Sequence, residues 1–159
     1  MIFLSSLLLG QFPIQLSPDQ ITEPISFTSG SDTEFLITVT ASSNTNWSEA
    51  EAESATLVVA INGDWNSYNQ DLVLYAGENE HLYHTNLGPI LAGEHSIQFT
   101  FDDAKSSDGA NLITIESIEL TDIATIDLNE DALKHSPILY GRDLLSWNES
   151  THTDIPLIM

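Results

Sequence analysis

A chain of 159 residues, 42% of them apolar, is long enough for one domain with its own core, and its aromatic and β-branched residues fall in short clusters that argue against disorder. The 24 acidic residues stand against only Lys105, Lys134 and Arg142, a formal net charge of -21 that repels phosphate backbones and anionic lipid and so argues against nucleic acid and membrane surfaces as partners. Cysteine is absent, which excludes disulfide staples and thiolate metal sites.

Residues 1–10, MIFLSSLLLG, are apolar but too few to cross a bilayer, which takes about 20 residues, so no membrane insertion is expected. The run reads as the hydrophobic part of a signal peptide, hence a secreted or periplasmic protein, although no Lys or Arg precedes it and Leu8 and Gly10 make a poor cleavage site. An ordinary first strand is the alternative. Residues 11–32 carry Pro13, Pro18 and Pro24 too closely for a helix and are expected to run extended along the body, with an edge strand over Ile25 to Thr28.

Strands follow in quick succession. EFLITVT (34–40) alternates Phe35, Ile37 and Val39 with Leu36, Thr38 and Thr40, the period of a half-buried strand. WSEAEAESA (47–55) alternates too and leads directly into a strand, so it is read as an acidic loop despite its helix-forming residues. ATLVVAI (55–61) is apolar on both faces, as a central strand is, and stops at the turn dipeptide Asn62-Gly63. DLVLYA (71–76) ends at Gly77, and HLYHTNL (81–87) is expected to end at Gly88-Pro89. HSIQFTF (95–101) puts His95, Ile97, Phe99 and Phe101 on one face. In NLITIESIEL (111–120), Ile113 and Ile115 are out of phase with Ile118 and Leu120, which predicts a bulge near Glu116 and Ser117. Six or seven strands without a helical period make an all-β fold, an antiparallel β-sandwich over residues 33–121. Residues 122–159 lose the alternation and are read as an irregular tail or the start of a truncated second domain, so that the module is expected to be attached to further domains of a parent protein.

The stretch LGPILAGEHSIQFTF, followed ten residues later by LITIESIEL, resembles the C-terminal half of jelly-roll carbohydrate-binding modules and galactose-binding-like domains. The matching positions are Leu91, Gly93, Ile97 and Phe99, then Ile118, Glu119 and Leu120, and the resemblance spans roughly residues 30–121. It implies a jelly-roll-like sandwich, with ligand-binding aromatics on loops at one edge or on a concave face, and a structural calcium near a sheet edge. No sugar-binding residue of that family matches here one for one. HSPILYGRDLLSWNESTHTDIPLIM (135–159) resembles the beginning of a second domain in bacterial exported proteins.

Sugar recognition needs flat rings for the C–H face of a pyranose and amides or carboxylates for its hydroxyls. In GDWNSYNQD (63–71), Trp65, Tyr68, Asn69 and Asp71 bring that chemistry into seven residues; the alternative is a hairpin loop whose Trp65 covers the end of the core. DDAKSSDGAN (102–111) offers Asp102, Asp103 and Asp108 around Gly109 as candidate ligands for a structural Ca2+, or is a plain acidic hairpin loop. His81 and His84, three apart on a strand, face opposite ways and cannot share a metal, and His95, in the apolar phase of its strand, is expected to be satisfied internally. Asn46-Trp47-Ser48 and Asn148-Glu149-Ser150 fit the glycosylation triplet, a pattern frequent by chance. No nucleophile elbow, phosphate loop or zinc-protease signature occurs, and with 24 acids a carboxylate pair at glycosidase spacing carries no information, so no catalytic residue is assigned. The expected function is a non-catalytic exported accessory module that binds neutral carbohydrate. The competing reading is a structural or protein-interaction domain of a larger secreted protein, and the exposure of Trp65 and Tyr68 separates the two.

Overall fold

The alternation closes two sheets over one interior. The computed structural model describes residues 12–65 and 71–123, all within the first of the chain's two units, Met1–Thr125. Eight strands lie in this span: β1 (Ile14–Leu16), β2 (Ile25–Ser29), β3 (Thr33–Ser43), β4 (Ala55–Ile61), β5 (Leu72–Leu74), β6 (His81–Ile90), β7 (Gly93–Phe101) and β8 (Ile113–Asp122). They form two four-stranded antiparallel sheets with the jelly-roll orders β1-β8-β3-β6 and β2-β7-β4-β5. The sandwich therefore draws strands from the segment read as an extended leader. Beyond β2, Thr22 continues along β7, its N–H donating to the Phe99 carbonyl and its hydroxyl accepting from the Phe99 N–H.

The inward phase of each strand is where the sequence puts it. Ile37 and Val39 of β3, Leu57 and Val59 of β4 and Ile97, Phe99 and Phe101 of β7 are fully buried, and Phe27 meets Phe35 edge-on at 5.8 Å. Each such side chain contributes about 1.5–3 kcal/mol by leaving water. The bulge in β8 lies at Glu116: Thr40 faces Ser117 and Ala41 faces Ile115, which returns both halves of the strand to the core. Gly88-Pro89 does not end β6, contrary to the expectation from the sequence. The pair sits in a bulge opposite Glu34–Leu36, where Gly88 supplies a positive φ of 72° and the strand runs on to Ile90. Proline is tolerated there because β6 is an edge strand with no neighbour needing its N–H.

The histidines follow their phases. His81 lies opposite Ala41 and His84 opposite Thr38, on different faces of the sheet. The Nε2–H of His95 donates to the Leu91 carbonyl at 2.8 Å, which leaves Nδ1 to accept from the Asn62 amide at 3.0 Å, so both ring nitrogens are used. His84, 2.9 Å from the Thr38 hydroxyl, has its pKa lowered, first by burial and then by His81. A histidine with a depressed folded pKa contributes stability that is full above the unfolded value, about 6.5, and lost as pH falls through the folded value. The melting temperature of the wild type minus that of His84→Gln is therefore expected to shrink across that window on acidification. An unchanged difference would show that His84 is freely solvated.

Candidate functional site

The edge strand β5 gathers the exposed rings. Its inward residues, Leu72 and Leu74, are buried, the opposite phase presents Val73 and Tyr75 outward, and Asp71, in the same phase, is half-buried. The chain leaving β3 passes to the other sheet and lies beside this edge: the Thr45 hydroxyl donates to the Leu74 carbonyl, the Trp47 N–H donates to the Tyr75 carbonyl and Asn46 bridges to Ala76. Trp47 is thereby held next to Tyr75 with its ring in solvent. Among the described residues Phe27, Phe35, Phe99, Phe101 and Tyr83 are buried and Phe12 packs on the core, whereas Trp47 (77% exposed), Trp65 (55%) and Tyr75 (48%) face water.

Trp47, Val73 and Tyr75, with Glu53 and Ser54 at the rim, line a groove of about 410 Å³. Glu53 is held ionised below the usual carboxylate range by backbone N–H groups, its own first, then by the Ser107 hydroxyl and the Glu51 N–H. It is a fixed acceptor at the rim of an apolar floor. Tyr83 lies under this end of the sandwich, its ring edge-on to Tyr75 at 6.4 Å and its phenol pushed above the usual pKa by burial.

At the other end of the segment, Lys105 forms ion pairs with Asp71 at 2.8 Å and Asp102 at 3.1 Å, and its ammonium lies 6.0 Å from the centre of the Trp65 ring. These carboxylates raise its pKa, Asp71 most. A short 3-10 turn, Asp103–Lys105, sets the lysine there; Asp102 caps it by accepting from the Lys105 N–H, and the Thr56 hydroxyl donates to the Lys105 carbonyl.

Of the residues singled out from sequence, Trp65 is thus exposed, Asp71 holds Lys105 through Oδ2 while its Oδ1 is buried without a partner, and Tyr68 and Asn69 lie outside the described residues. Asp102 serves Lys105, and Asp103 and Asp108 are exposed. Among the described residues no group of three or more His, Asp and Glu side chains comes together to hold a metal ion. The sequence reading missed Trp47, Tyr75 and Glu53. Tyr75 carried a signal, since it shares the outward phase of DLVLYA with Asp71 and Val73; Trp47 carried none, because only the sheet-to-sheet crossing brings it to β5.

A second recess, about 430 Å³, is lined by Ser26, Thr28, Asn62, Glu94, His95 and Ser96 with Phe27. Its amide and imidazole are spent on internal hydrogen bonds, and Phe27 is buried.

No protein-family model and no curated protein matches the sequence. Among solved structures, the chain is similar to the C-terminal domain of the sugar-binding protein EclA (9% identity, TM-score 0.47, covering 68% of this chain and 76% of that one). It is also similar to a family 35 carbohydrate-binding module from an environmental isolate (18%, 0.45, 65% and 69%) and to another from Cellvibrio japonicus (14%, 0.45, 66% and 67%). These likenesses are in the path of the chain, and what each of those proteins binds is decided by its own side chains.

Proposed function

We propose that this domain is a non-catalytic module that binds neutral carbohydrate at the β5 edge. The observation that carries the reading is the partition of the aromatic side chains among the described residues: those of the core are buried, and of the three left in water Trp47 and Tyr75 line the groove beside β5 and Trp65 lies near the Lys105 that Asp71 holds. Exposed indole and phenol rings forming an apolar floor suit the C–H face of a pyranose, and the ionised Glu53 and the Ser54 hydroxyl at its rim suit the sugar hydroxyls. Neutrality follows from charge. Lys105 is the only Lys or Arg among the described residues and already faces two carboxylates, so a uronate or sulfated glycan meets acid and no free cation. Export and a place beside further domains belong to the same reading, and among the described residues no helix is long and apolar enough to cross a membrane.

A glycan array holding neutral and acidic members tests this. Binding is expected among the neutral glycans only, and Trp47→Ala should weaken it by about tenfold or more, the equivalent of 1.4 kcal/mol, with an unchanged melting temperature. Silence across the array from a folded protein would overturn the reading and leave the β5 edge as a docking surface for a protein.

A further inference from the structure

The groove at Trp47 is one end of a longer strip. Trp47, Tyr75 and Val73 line the groove, Asp71, two residues before Val73 in the same phase, holds Lys105, and the Lys105 ammonium lies 6.0 Å from the centre of the Trp65 ring. Outward side chains two residues apart on a strand keep one direction, and at about 3.3 Å per residue Tyr75 and Asp71 are roughly 13 Å apart. Rings therefore stand beside Tyr75 and beside Lys105, with the apolar Val73 and an ion cluster of one ammonium and two carboxylates separating them. A single pyranose covers one ring at a time and leaves the far ring in water.

We infer, resting on the carbohydrate reading above, that the ligand is a linear oligosaccharide lying lengthwise along β5, one unit on Trp47 and Tyr75 and a later unit on Trp65. The ion cluster suits that role. An ammonium has three N–H donors, and among the described residues Asp71 and Asp102 take two of them, which leaves the third for a hydroxyl of the intervening unit while the lysine's charge is already balanced. Asp71 and Asp102 are then positioning residues: they hold Lys105 in place, and Lys105 stands against Trp65. Because the ends are separate contacts, affinity grows with chain length, and the growth resides in Trp65.

Calorimetric titration with linear cello-, manno- and xylo-oligosaccharides, from monosaccharide to hexasaccharide, decides the matter. In a series that binds, affinity is expected to rise by about tenfold or more between the disaccharide and the hexasaccharide. Trp65→Ala should abolish that rise, bringing the hexasaccharide down to the affinity of the disaccharide, whereas Trp47→Ala should weaken ligands of every length. The strip is overturned, with the carbohydrate reading intact, if the monosaccharide binds as tightly as the hexasaccharide. The same holds if Trp65→Ala leaves the rise in place, or if all three series fail while the array scores other glycans. Silence in both experiments overturns both.

Discussion

Phe99→Ala is expected to destabilise the fold by about 3–5 kcal/mol, the largest loss from any single truncation considered for this domain. Phe99 is fully buried in β7, an interior strand flanked by β2 and β4, and lies opposite Val59. Its backbone is held from the other side by Thr22, so neighbouring chain cannot collapse readily into the space a missing ring leaves. Domains of this size have about 5–15 kcal/mol in total, so the variant should give up a large fraction of its stability. Urea unfolding followed by Trp fluorescence measures it: the midpoint should fall with little change in slope. A loss below about 1 kcal/mol would mean that the ring is not packed between the sheets.

Gly109→Ala is expected to reduce both stability and the affinity of the proposed carbohydrate site. A Cβ at this position would stand 2.8 Å from the Glu51 carbonyl oxygen and 3.0 Å from the Ala52 Cβ, closer than such atoms pack, and the nearer obstacle is backbone. The two loops are stapled here. The Gly109 N–H donates to the Glu51 carbonyl at 2.6 Å, the Asn44 amide donates to the Gly109 carbonyl and the Ser107 N–H donates to the Ser54 carbonyl. Overpacking of this kind costs about 1–3 kcal/mol. Relief requires residues 51–52 to move, and with them Glu53 at the groove rim and the Ala52 carbonyl that accepts the Asn46 N–H beside Trp47. Measured side by side, Trp47→Ala should lose affinity at constant melting temperature and Gly109→Ala should lose both. A Gly109→Ala protein with wild-type stability would show that the 44–54 loop yields freely.

The readings that succeeded were periodic ones. Ile37, Val39, Ile97 and Phe99 were legible as core because a strand's two-residue period assigns every side chain to a face, and the phase slip between Ile115 and Ile118 located the bulge at Glu116 for the same reason. The boundary at Gly88-Pro89 was misplaced because turn chemistry looks alike whether a strand ends or bulges. β1 was overlooked because three residues are too few to show a period. At the proposed binding edge, Trp65 stood out by composition, and its ring is 55% exposed rather than folded onto the core. Asp71, which sequence chemistry offered as a partner for sugar hydroxyls, is ion-paired to Lys105, a residue 34 positions away.

Alternating side chains, turn dipeptides and an excess of acid were thus enough to specify two sheets, their inward faces and the sign of the surface, since each depends on neighbours within a few positions or on a sum over the chain. Which rings share one edge depended on the crossing from β3 to the opposite sheet and on the 3-10 turn after β7, contacts between residues such as Trp47 and Tyr75 or Asp71 and Lys105 that are remote in sequence. Local propensity carries no record of such distant pairings. They arise only when the sheets close and each strand takes its place beside another.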